Sequence, residues 1–373
     1  MIDNKEKKIA KYLRLIFLGI ILTGTMVIHY FHIKLGPSVP SVHALCPLGG
    51  LENLWSWIAG KANIQKLFAG TMTLFFFSLV FAFVFGRAFC GNICPFGALQ
   101  EFIGKIRKKK LIVPEKIDKI LRYLKYFILV FVTVMAWITA SIWISPYDPY
   151  TAFAHIWRVE ELFSEILIGF IILVIVIAAS VFIDRFFCKY LCPAGAMYGL
   201  IAKISPTKIK HSGCCCCSSC GQCTKSCPMN IDVSKIEVVK SAECIDCVQC
   251  ITVCPSQNDC IKVTIAGKKV KSSIFIIATV FIFFGSLFVF DKTGIFQITI
   301  PSIESVRESG NHLKIADLRG SLTIETGAEY VGMELHDFYK LMEIPETVPP
   351  DTQMRNVSSY VPGWEFHVIR DSR

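Results

Sequence analysis

The decapeptide FCGNICPFGA (residues 89–98) is repeated, with small changes, as FCKYLCPAGA (residues 187–196). Each copy has two cysteines four positions apart, a proline after the second cysteine, and a Gly-Ala pair. Each copy follows a long apolar stretch, LFFFSLVFAFVFG (residues 74–86) in the first case and ILIGFIILVIVIAASVFI (residues 166–183) in the second. The repeat therefore predicts two similar helical units, each ending in the same cysteine motif on the same face of a membrane.

Composition agrees with a membrane protein, since 53% of the 373 residues are hydrophobic and the mean hydropathy is +0.52. A transmembrane helix needs about 20 predominantly apolar residues. Several stretches here are apolar all round, whereas a large soluble helical protein would show amphipathic stripes. Five spans are predicted near Tyr12–Tyr30, Leu67–Gly86, Tyr123–Ile144, Ile166–Ile183 and Ser273–Phe290.

Lys and Arg concentrate in the N-terminal tail and in the segments after the second and fourth predicted spans. The positive-inside rule then places the N-terminus and both motifs in the cytoplasm and the C-terminal tail outside. The first span is read as a retained anchor, because a signal peptide has a shorter apolar core. The net charge of +10 reflects this concentration of Lys and Arg on the predicted cytoplasmic side, so no nucleic-acid partner is expected.

The chain has 17 cysteines, and all but Cys46 lie on or beside the predicted cytoplasmic face. A disulfide-stabilised exterior protein would show the opposite distribution. Cysteines on the reducing side of a membrane are metal ligands by default, so metal or iron–sulfur chemistry is predicted.

Two runs, CSSCGQCTKSCP (residues 217–228) and CIDCVQCITVCP (residues 244–255), share the spacing C-x2-C-x2-C-x3-C-P. This is the two-cluster bacterial ferredoxin pattern, in which the fourth cysteine of each run binds the other cluster. Zinc also uses C-x2-C pairs, but two full runs with the proline favour iron–sulfur. One predicted [4Fe–4S] ligand set is Cys217, Cys220, Cys223 and Cys254, and the other is Cys244, Cys247, Cys250 and Cys227.

Four further cysteines fall outside this spacing, although a neighbour of Cys217 is an alternative ligand. They are expected to be spare thiols, and they are Cys214, Cys215, Cys216 and Cys260.

The motif cysteines, Cys90, Cys94, Cys188 and Cys192, would form one group of four thiolates if the two units pack about a pseudo-twofold axis. Cysteines four apart share one side of a helix. A third iron–sulfur or metal site is the favoured interpretation. A redox-active thiol pair and purely structural, buried cysteines are the alternatives.

The segment ALCPLGG (residues 44–50) has the Cys-Pro-x-Gly core but lacks an upstream cysteine. It lies on the predicted outer face, about 30 Å of bilayer away from the motif cysteines unless the loop re-enters the membrane. Cys46 is therefore expected to be structural, with an electron-exit role as the alternative. Quinone or haem binding is weighed for four outer histidines, with interfacial histidine favoured; they are His29, His32, His43 and His155.

Together, the paired motifs and the two four-cysteine runs resemble the NapH/MauN/NosR-type membrane polyferredoxins. The resemblance covers roughly residues 12–290. It implies electron transfer at the cytoplasmic membrane, often linking the quinol pool to a respiratory or maturation system on the far side. NosR-type members also carry an exterior flavin domain. No flavinylation signal occurs here, and the fifth helix and exterior tail depart from the shorter NapH-like members.

The predicted fold is an α-helical integral membrane protein with about five spans, an inserted α+β two-cluster ferredoxin module, and a small, mainly helical exterior domain. In the tail, SLTIE (321–325) predicts a capped helix and MELHDFYKLM (333–342) an amphipathic one, with Phe338 and Met342 in the core. The predicted domains are a four-helix membrane domain (1–206), the ferredoxin domain (207–271), a fifth transmembrane helix (272–290) and the exterior domain (291–373).

The predicted function is electron transfer between a cytoplasmic or quinol donor and a membrane or extracytoplasmic redox protein. The chain would act as an electron-transfer subunit or a quinol-dehydrogenase-like component, because no general-base constellation or nucleotide fingerprint indicates a stand-alone catalyst. The alternative is an iron–sulfur redox sensor or an assembly factor for a respiratory or metal-containing partner. A transporter is disfavoured, since the spans carry almost no charges that would mark an ion path.

Overall fold

The architecture comes from a computed structural model. The described residues are 2–35, 39–40, 45–59, 69–107, 110–111, 113–139, 141–158, 166–211, 220–255, 260–296, 298, 312–313, 315, 318, 320, 322–366 and 369.

Two helical units follow one another along the chain, and they match element by element. The first consists of α1 (Ile2–Leu35), α2 (Pro47–Ile58), α3 (Ala69–Phe85), α4 (Ala88–Asn92) and α5 (Pro95–Gly104). The second consists of α6 (Glu115–Thr139), a 3-10 turn (Ser145–Tyr147), α7 (Pro149–Ala154), α8 (Leu167–Phe182), α9 (Phe186–Tyr190) and α10 (Pro193–Ala202). Each unit is thus a long helix, a short helix, an apolar helix and a two-helix cysteine motif.

A proline begins the last helix of each unit and also the short helix in the middle of each unit. Proline suits the first helical position because its fixed φ is preorganised and the missing N–H has no intrahelical acceptor there. The residues before these prolines are the N-caps Cys46, Cys94, Asp148 and Cys192. Cys46 in the first unit therefore corresponds to Asp148 in the second.

Each of the five predicted spans contains a helix, but the helices differ in length, and the third ends at Thr139 instead of Ile144. Helices α1, α6 and α13 (Ser272–Lys292) are long and apolar enough to cross a membrane. Helices α3 and α8 are apolar but have 17 and 16 residues. At 1.5 Å per residue, each is about 25 Å long, slightly less than the hydrocarbon thickness. These apolar helices indicate a membrane protein. The number of membrane spans stays a prediction.

A four-stranded antiparallel sheet lies between α10 and α13. Its order is β2 (Val238–Val239), β1 (Thr207–His211), β3 (Ile261–Ile265) and β4 (Lys268–Val270). Two four-residue helices, α11 (Gln222–Lys225) and α12 (Gln249–Thr252), carry the middle of the cysteine runs. The main hydrophobic core is continuous from α3 and α4 into this region and α13.

The C-terminal region has a separate small core. Thr323 caps α14 (Ile324–Val331), with its hydroxyl accepting the Thr326 N–H at 3.2 Å, and α15 (Leu335–Leu341) follows. Phe338 and Met342 are fully buried. The predicted capped helix, the following amphipathic helix and these two core residues are confirmed.

Candidate iron–sulfur sites

The structure brings the second predicted ligand set together around one cavity. Cys227, Cys244, Cys247 and Cys250 all line it, and the other lining side chains, such as Met229 and Ile245, are apolar. Cys227 comes from the first run and the other three cysteines from the second run, which is the crossed arrangement that the spacing predicts. Burial raises the pKa of the Cys227 thiol to about 11, so a deprotonated sulfur here needs a cation.

The first predicted set is only partly described, because Cys217 lies outside the described residues. Cys223 is buried, and its pKa is raised by burial and to a smaller extent by Cys254. Cys223 in turn contributes to the raised pKa of Cys250, which belongs to the second set. The two sets therefore lie next to each other.

Of the cysteines outside the spacing, Cys214, Cys215 and Cys216 lie outside the described residues. Cys260 is buried directly before β3, and its expected place outside the two ligand sets stays a prediction.

In both motifs, the second cysteine caps the helix that follows it. The Cys94 sulfur accepts the Gly97 N–H at 3.4 Å, and the Cys192 sulfur accepts the Gly195 N–H at 3.2 Å. A helix N-terminus stabilises negative charge, so both sulfurs sit where a thiolate is favoured by the backbone. The Cys-Pro-x-Gly pattern is thus a helix start that carries a sulfur ligand at its cap.

The four motif cysteines form one group drawn from both units, in which Cys90 and Cys188 are buried and Cys94 and Cys192 are half-buried. Burial raises the pKa of Cys94 to about 12, and Cys188 and Cys90 raise it further by their charge. The pKa of Cys192 is also raised, by burial first and then by Cys188, Cys90 and Cys94. Gln100 Nε2 also donates to the Cys188 sulfur at 3.2 Å.

In the described part of the chain, no three His, Cys, Asp or Glu side chains are close enough to hold a single metal ion.

Two arginines, one from each helical unit, reach the cysteine motif of the other unit. Arg185, which precedes the second motif, donates from Nη1 to the Cys90 carbonyl at 2.6 Å. The same Nη1 is 2.8 Å from where a Cβ on Gly97 would lie, and Arg87 Nη2 is 2.9 Å from where a Cβ on Gly195 would lie. Each motif glycine therefore leaves room for the arginine of the other unit.

The two arginines are fully buried but differ in their charge partners. Arg185 Nη2 donates to Glu101 Oε2 at 2.7 Å, and Arg14 also pairs with this carboxylate at 2.6 Å. Burial alone would raise the pKa of Glu101, but the two arginines outweigh it and hold this pKa well below its usual range. The Arg87 guanidinium donates from Nη1 to the Ala242 carbonyl at 2.7 Å, but the Glu243 carboxylate lies 3.9 Å from it. Its Nε and Nη2 have no hydrogen-bond partner.

The loop that carries the second cysteine set lies directly on the first motif. A Cβ on Gly91 would be 2.2 Å from the Ile245 carbonyl oxygen and 3.1 Å from the Cys247 Cα, so only glycine permits this approach. Asp246 Oδ2 accepts the Arg87 N–H at 3.0 Å. The backbone of a predicted cluster ligand thus touches the residue that follows Cys90.

Three long-range contacts hold the same region against the helices. Lys125 on α6 donates to Glu243 at 2.6 Å. Gln249 on α12 donates to Glu101 at 2.9 Å, and Lys7 on α1 donates to the Cys254 carbonyl at 3.3 Å. The ferredoxin-like region is therefore packed onto both units.

Cys46 and the motif cysteines have tyrosine neighbours in common, which agrees with the alternative that this loop re-enters the membrane, and the structural role of Cys46 stays a prediction. Helix α2 packs against α3, α6 and α10. Burial raises the pKa of Tyr198 on α10, and Cys90, Cys46 and Cys192 each raise this pKa further. The first turn of α2 after Cys46 is buried in the helical packing, and Trp55, Trp57 and Ile58 at its other end are exposed.

The described outer histidines have protein neighbours. His29 packs edge-on to Tyr150, the His32 ring nitrogen lies 2.6 Å from the Val39 carbonyl, and His155 Nδ1 lies 2.9 Å from the Thr151 carbonyl. His43 lies outside the described residues.

The charged residues around the motifs carry no site prediction from the sequence. Arg87 belongs to the basic segment after the second predicted span, which indicates only topology, and Arg185, Glu101 and Asp246 fall in no motif. The available signal was the arginine three positions before the first cysteine of both motifs, in RAFC (87–90) and RFFC (185–188).

Comparison with known proteins agrees with this geometry. Residues 67–114 and 166–211, which contain the two motifs, match the family described as a 4Fe-4S binding domain. YccM of Escherichia coli K12 is 32% identical over 207 residues, covering 53% of this chain and 56% of YccM. The uncharacterized protein MJ0750 of Methanocaldococcus jannaschii is 30% identical over 181 residues, covering 47% of this chain and 71% of MJ0750. The ferredoxin-type protein NapH of Haemophilus influenzae is 28% identical over 150 residues, covering 40% of this chain and 50% of NapH.

The chain belongs to the NapH/MauN-type membrane polyferredoxin family. It spans about half the length of several relatives that it matches, including YccM and NapH. No solved structure matches it. The ferredoxin and 4Fe-4S descriptions of this family agree with iron–sulfur binding by this polyferredoxin.

Proposed function

We propose that this polyferredoxin transfers electrons between a cytoplasmic or quinol donor and a membrane or extracytoplasmic redox partner, with three [4Fe–4S] sites. The observation that carries the proposal is the contact of the Ile245–Cys247 loop with Gly91. It sets the second cysteine set directly beside the motif cysteines. An electron carrier needs its centres close together, whereas a sensor or assembly factor has no such need.

The ferredoxin-like region has the chemistry to hold two clusters. Cys227, Cys244, Cys247 and Cys250 line one cavity without any competing carboxylate or histidine in its lining. The remaining set is Cys217, Cys220, Cys223 and Cys254. Clusters bound by these thiolates would supply one-electron transfer.

The motif cysteines also fit a cluster. Neutral thiols would leave the Arg87 guanidinium buried with a single distant carboxylate and two unpartnered nitrogens. A buried, poorly paired charge is costly. Thiolates at Cys90 and Cys192 would supply the missing negative charge, since both already act on the pKa of Arg87 against the effect of burial. This supports a third site held by Cys90, Cys94, Cys188 and Cys192.

The chain's own residues hold these sites in place. Arg185 ties the Cys90 carbonyl to Glu101, and Gln249 ties α12 to the same carboxylate. Asp246 fixes the ligand loop to the backbone of Arg87. These contacts keep the loop on the first motif.

The layout that accompanies this function follows the sequence predictions. We infer a cytoplasmic-membrane protein with a membrane domain (1–206), a cytoplasmic ferredoxin domain (207–271), a fifth span (272–290) and an extracytoplasmic domain (291–373). The last domain has its own core and would bind the exterior partner.

The proposal is tested with protein purified without oxygen and placed in vesicles that contain a quinone and trapped ferricyanide. A dithionite-reduced ferredoxin is added outside. Reduction of the quinone or of the ferricyanide supports the proposal, and Cys247→Ser should abolish it. If the clusters become reduced and both acceptors stay oxidised, the carrier function is refuted.

A further inference from the structure

The two cysteine runs carry a glutamine at the same position, directly before the third cysteine, and the two glutamines have different surroundings. Gln222 precedes Cys223 in the first run, and Gln249 precedes Cys250 in the second. Each begins a four-residue helix, α11 or α12. Gln222 is exposed, whereas Gln249 is half-buried and donates from Nε2 to Glu101 Oε1 at 2.9 Å. The pair therefore separates what a glutamine does at this position from what its contact with α5 adds.

The Glu101 carboxylate is part of a hydrogen-bonded clamp on the first motif. Arg14 donates to both of its oxygens, at 2.7 and 2.6 Å, and Arg185 donates to Oε2 at 2.7 Å. Arg14 Nη2 also donates to the Gly91 carbonyl at 2.8 Å. Arg185 Nη1 donates to the Cys90 carbonyl at 2.6 Å. One carboxylate thus joins α12 to the backbone of the first motif cysteine and of the residue after it.

The backbone directly before Gln249 has a conformation that its sequence disfavours. Val248 has a φ of 54° and is fully buried, and Gly221 has a φ of 56° at the equivalent position of the first run. A β-branched residue is strained in the left-handed region, and glycine is not. Such strain persists where the surrounding structure over-determines the conformation. The loop of the second run is therefore held in place by its packing.

The predicted ligand Cys247 is held on both sides by hydrogen bonds to the first helical unit. Asp246, directly before it, accepts the Arg87 N–H at 3.0 Å. Gln249, two residues after it, donates to Glu101. The latter bond is of the stronger, charge-assisted kind, because its acceptor is a carboxylate. Removing the amide of Gln249 would thus loosen the loop beside a ligand without changing the ligand.

We propose that Gln249 is a positioning residue for electron transfer between the second-set cluster and the motif cluster, and that Gln222 has no such role. This inference rests on the proposed iron–sulfur function. With a reduced ferredoxin as donor, one electron leaves the second-set cluster and enters the motif cluster. The second-set cluster is oxidised and the motif cluster reduced, with no bond formed or broken and no proton moved. Gln249 fixes the separation that the electron crosses.

The test compares Gln249→Met and Gln249→Asn with the matched control Gln222→Met. Methionine has no N–H, and asparagine carries the amide on a shorter stem. Each full-length protein is purified without oxygen, assayed for iron, mixed with dithionite-reduced ferredoxin and freeze-quenched. Electron paramagnetic resonance then follows the second-set signal, which Cys247→Ser removes, and the motif signal, which Cys94→Ala removes.

Both Gln249 variants should keep the full iron content and show the second-set signal at the wild-type rate, but the motif signal should follow later than in the wild type. Hydrogen exchange in the peptide 86–93 is a readout that needs no electron transfer. Loss of a hydrogen bond to a charged group should make this exchange roughly 10- to 150-fold faster. Gln222→Met should change neither the interval between the signals nor the exchange.

An unchanged interval between the two signals in the Gln249 variants would overturn the inference, whatever the exchange shows. So would an equal delay in Gln222→Met. Loss of the second-set cluster from both Gln249 variants would overturn it as well, since the residue would then act in cluster assembly. Wild-type protein that shows no motif signal would instead overturn the proposed function.

Discussion

Replacing Gly91 with alanine tests the contact between the ligand loop and the first motif. The added Cβ would lie 2.2 Å from the Ile245 carbonyl oxygen and 3.1 Å from both the Cα and the N of Cys247. All three neighbours are backbone atoms, so rotamer changes cannot relieve the clash. Overpacking of this kind costs about 1–3 kcal/mol, which is roughly 5- to 150-fold in the equilibrium between docked and undocked loop.

Hydrogen exchange measures this equilibrium directly. The Arg87 amide donates to Asp246 across the contact, so its exchange reports opening of the loop. We expect exchange in the peptide 86–93 to become roughly 5- to 150-fold faster in Gly91→Ala, by the conversion above. Gly24→Ala is the matched control, because a Cβ there meets nothing within 4 Å. Unchanged exchange in Gly91→Ala, at the level of Gly24→Ala, would refute the docking geometry.

Three further changes test the charge arrangement and a buried carboxyl. Glu101→Gln leaves Arg14 and Arg185 without their shared carboxylate, so the free energy of unfolding in detergent should fall by about 3–5 kcal/mol; an unchanged melting temperature would contradict the pairing. Gly97→Ala should displace Arg185, whose Nη1 is 2.8 Å from the new Cβ, and should weaken iron retention during gel filtration. Full retention of iron would argue against a role for the contact between Arg185 and the first motif. Burial, followed by Asp148, raises the pKa of Glu52 to about 8. Its folded form therefore holds the proton between about pH 4.5 and 8, and wild-type stability should fall with rising pH relative to Glu52→Gln by up to about 1.4 kcal/mol per pH unit in that window. Parallel thermal unfolding curves across this range would refute the assignment.

The repeated motif and the two four-cysteine runs could be interpreted from sequence because ligand spacing is local. Cys94 and Cys192 act as helix caps for the same local reason, since Cys-Pro-x-Gly contains both the cap and the N–H donor. The assignment of Cys227 to the set of the second run came from a known spacing rule, and the cavity lining agrees with it.

The charged residues could not be interpreted in the same way. Arg87 and Arg185 look like positive-inside charges, and only the packing of one unit against the other shows that each reaches the opposite motif. The correspondence of Cys46 with Asp148 was also hidden, because the two residues share no chemistry. It emerges from their common place as N-caps before Pro47 and Pro149.

The central claim is that the motif cysteines hold a cluster beside the ferredoxin clusters, and iron counting tests it most directly. Iron and acid-labile sulfide are measured per chain on protein purified without oxygen. The account predicts about twelve of each in the wild-type protein and about eight in Cys94→Ala. Cys46→Ala, which alters the other Cys-Pro helix start, should keep about twelve. About eight in the wild-type protein, with no loss in Cys94→Ala, would contradict the account and leave the motif cysteines as helix caps alone.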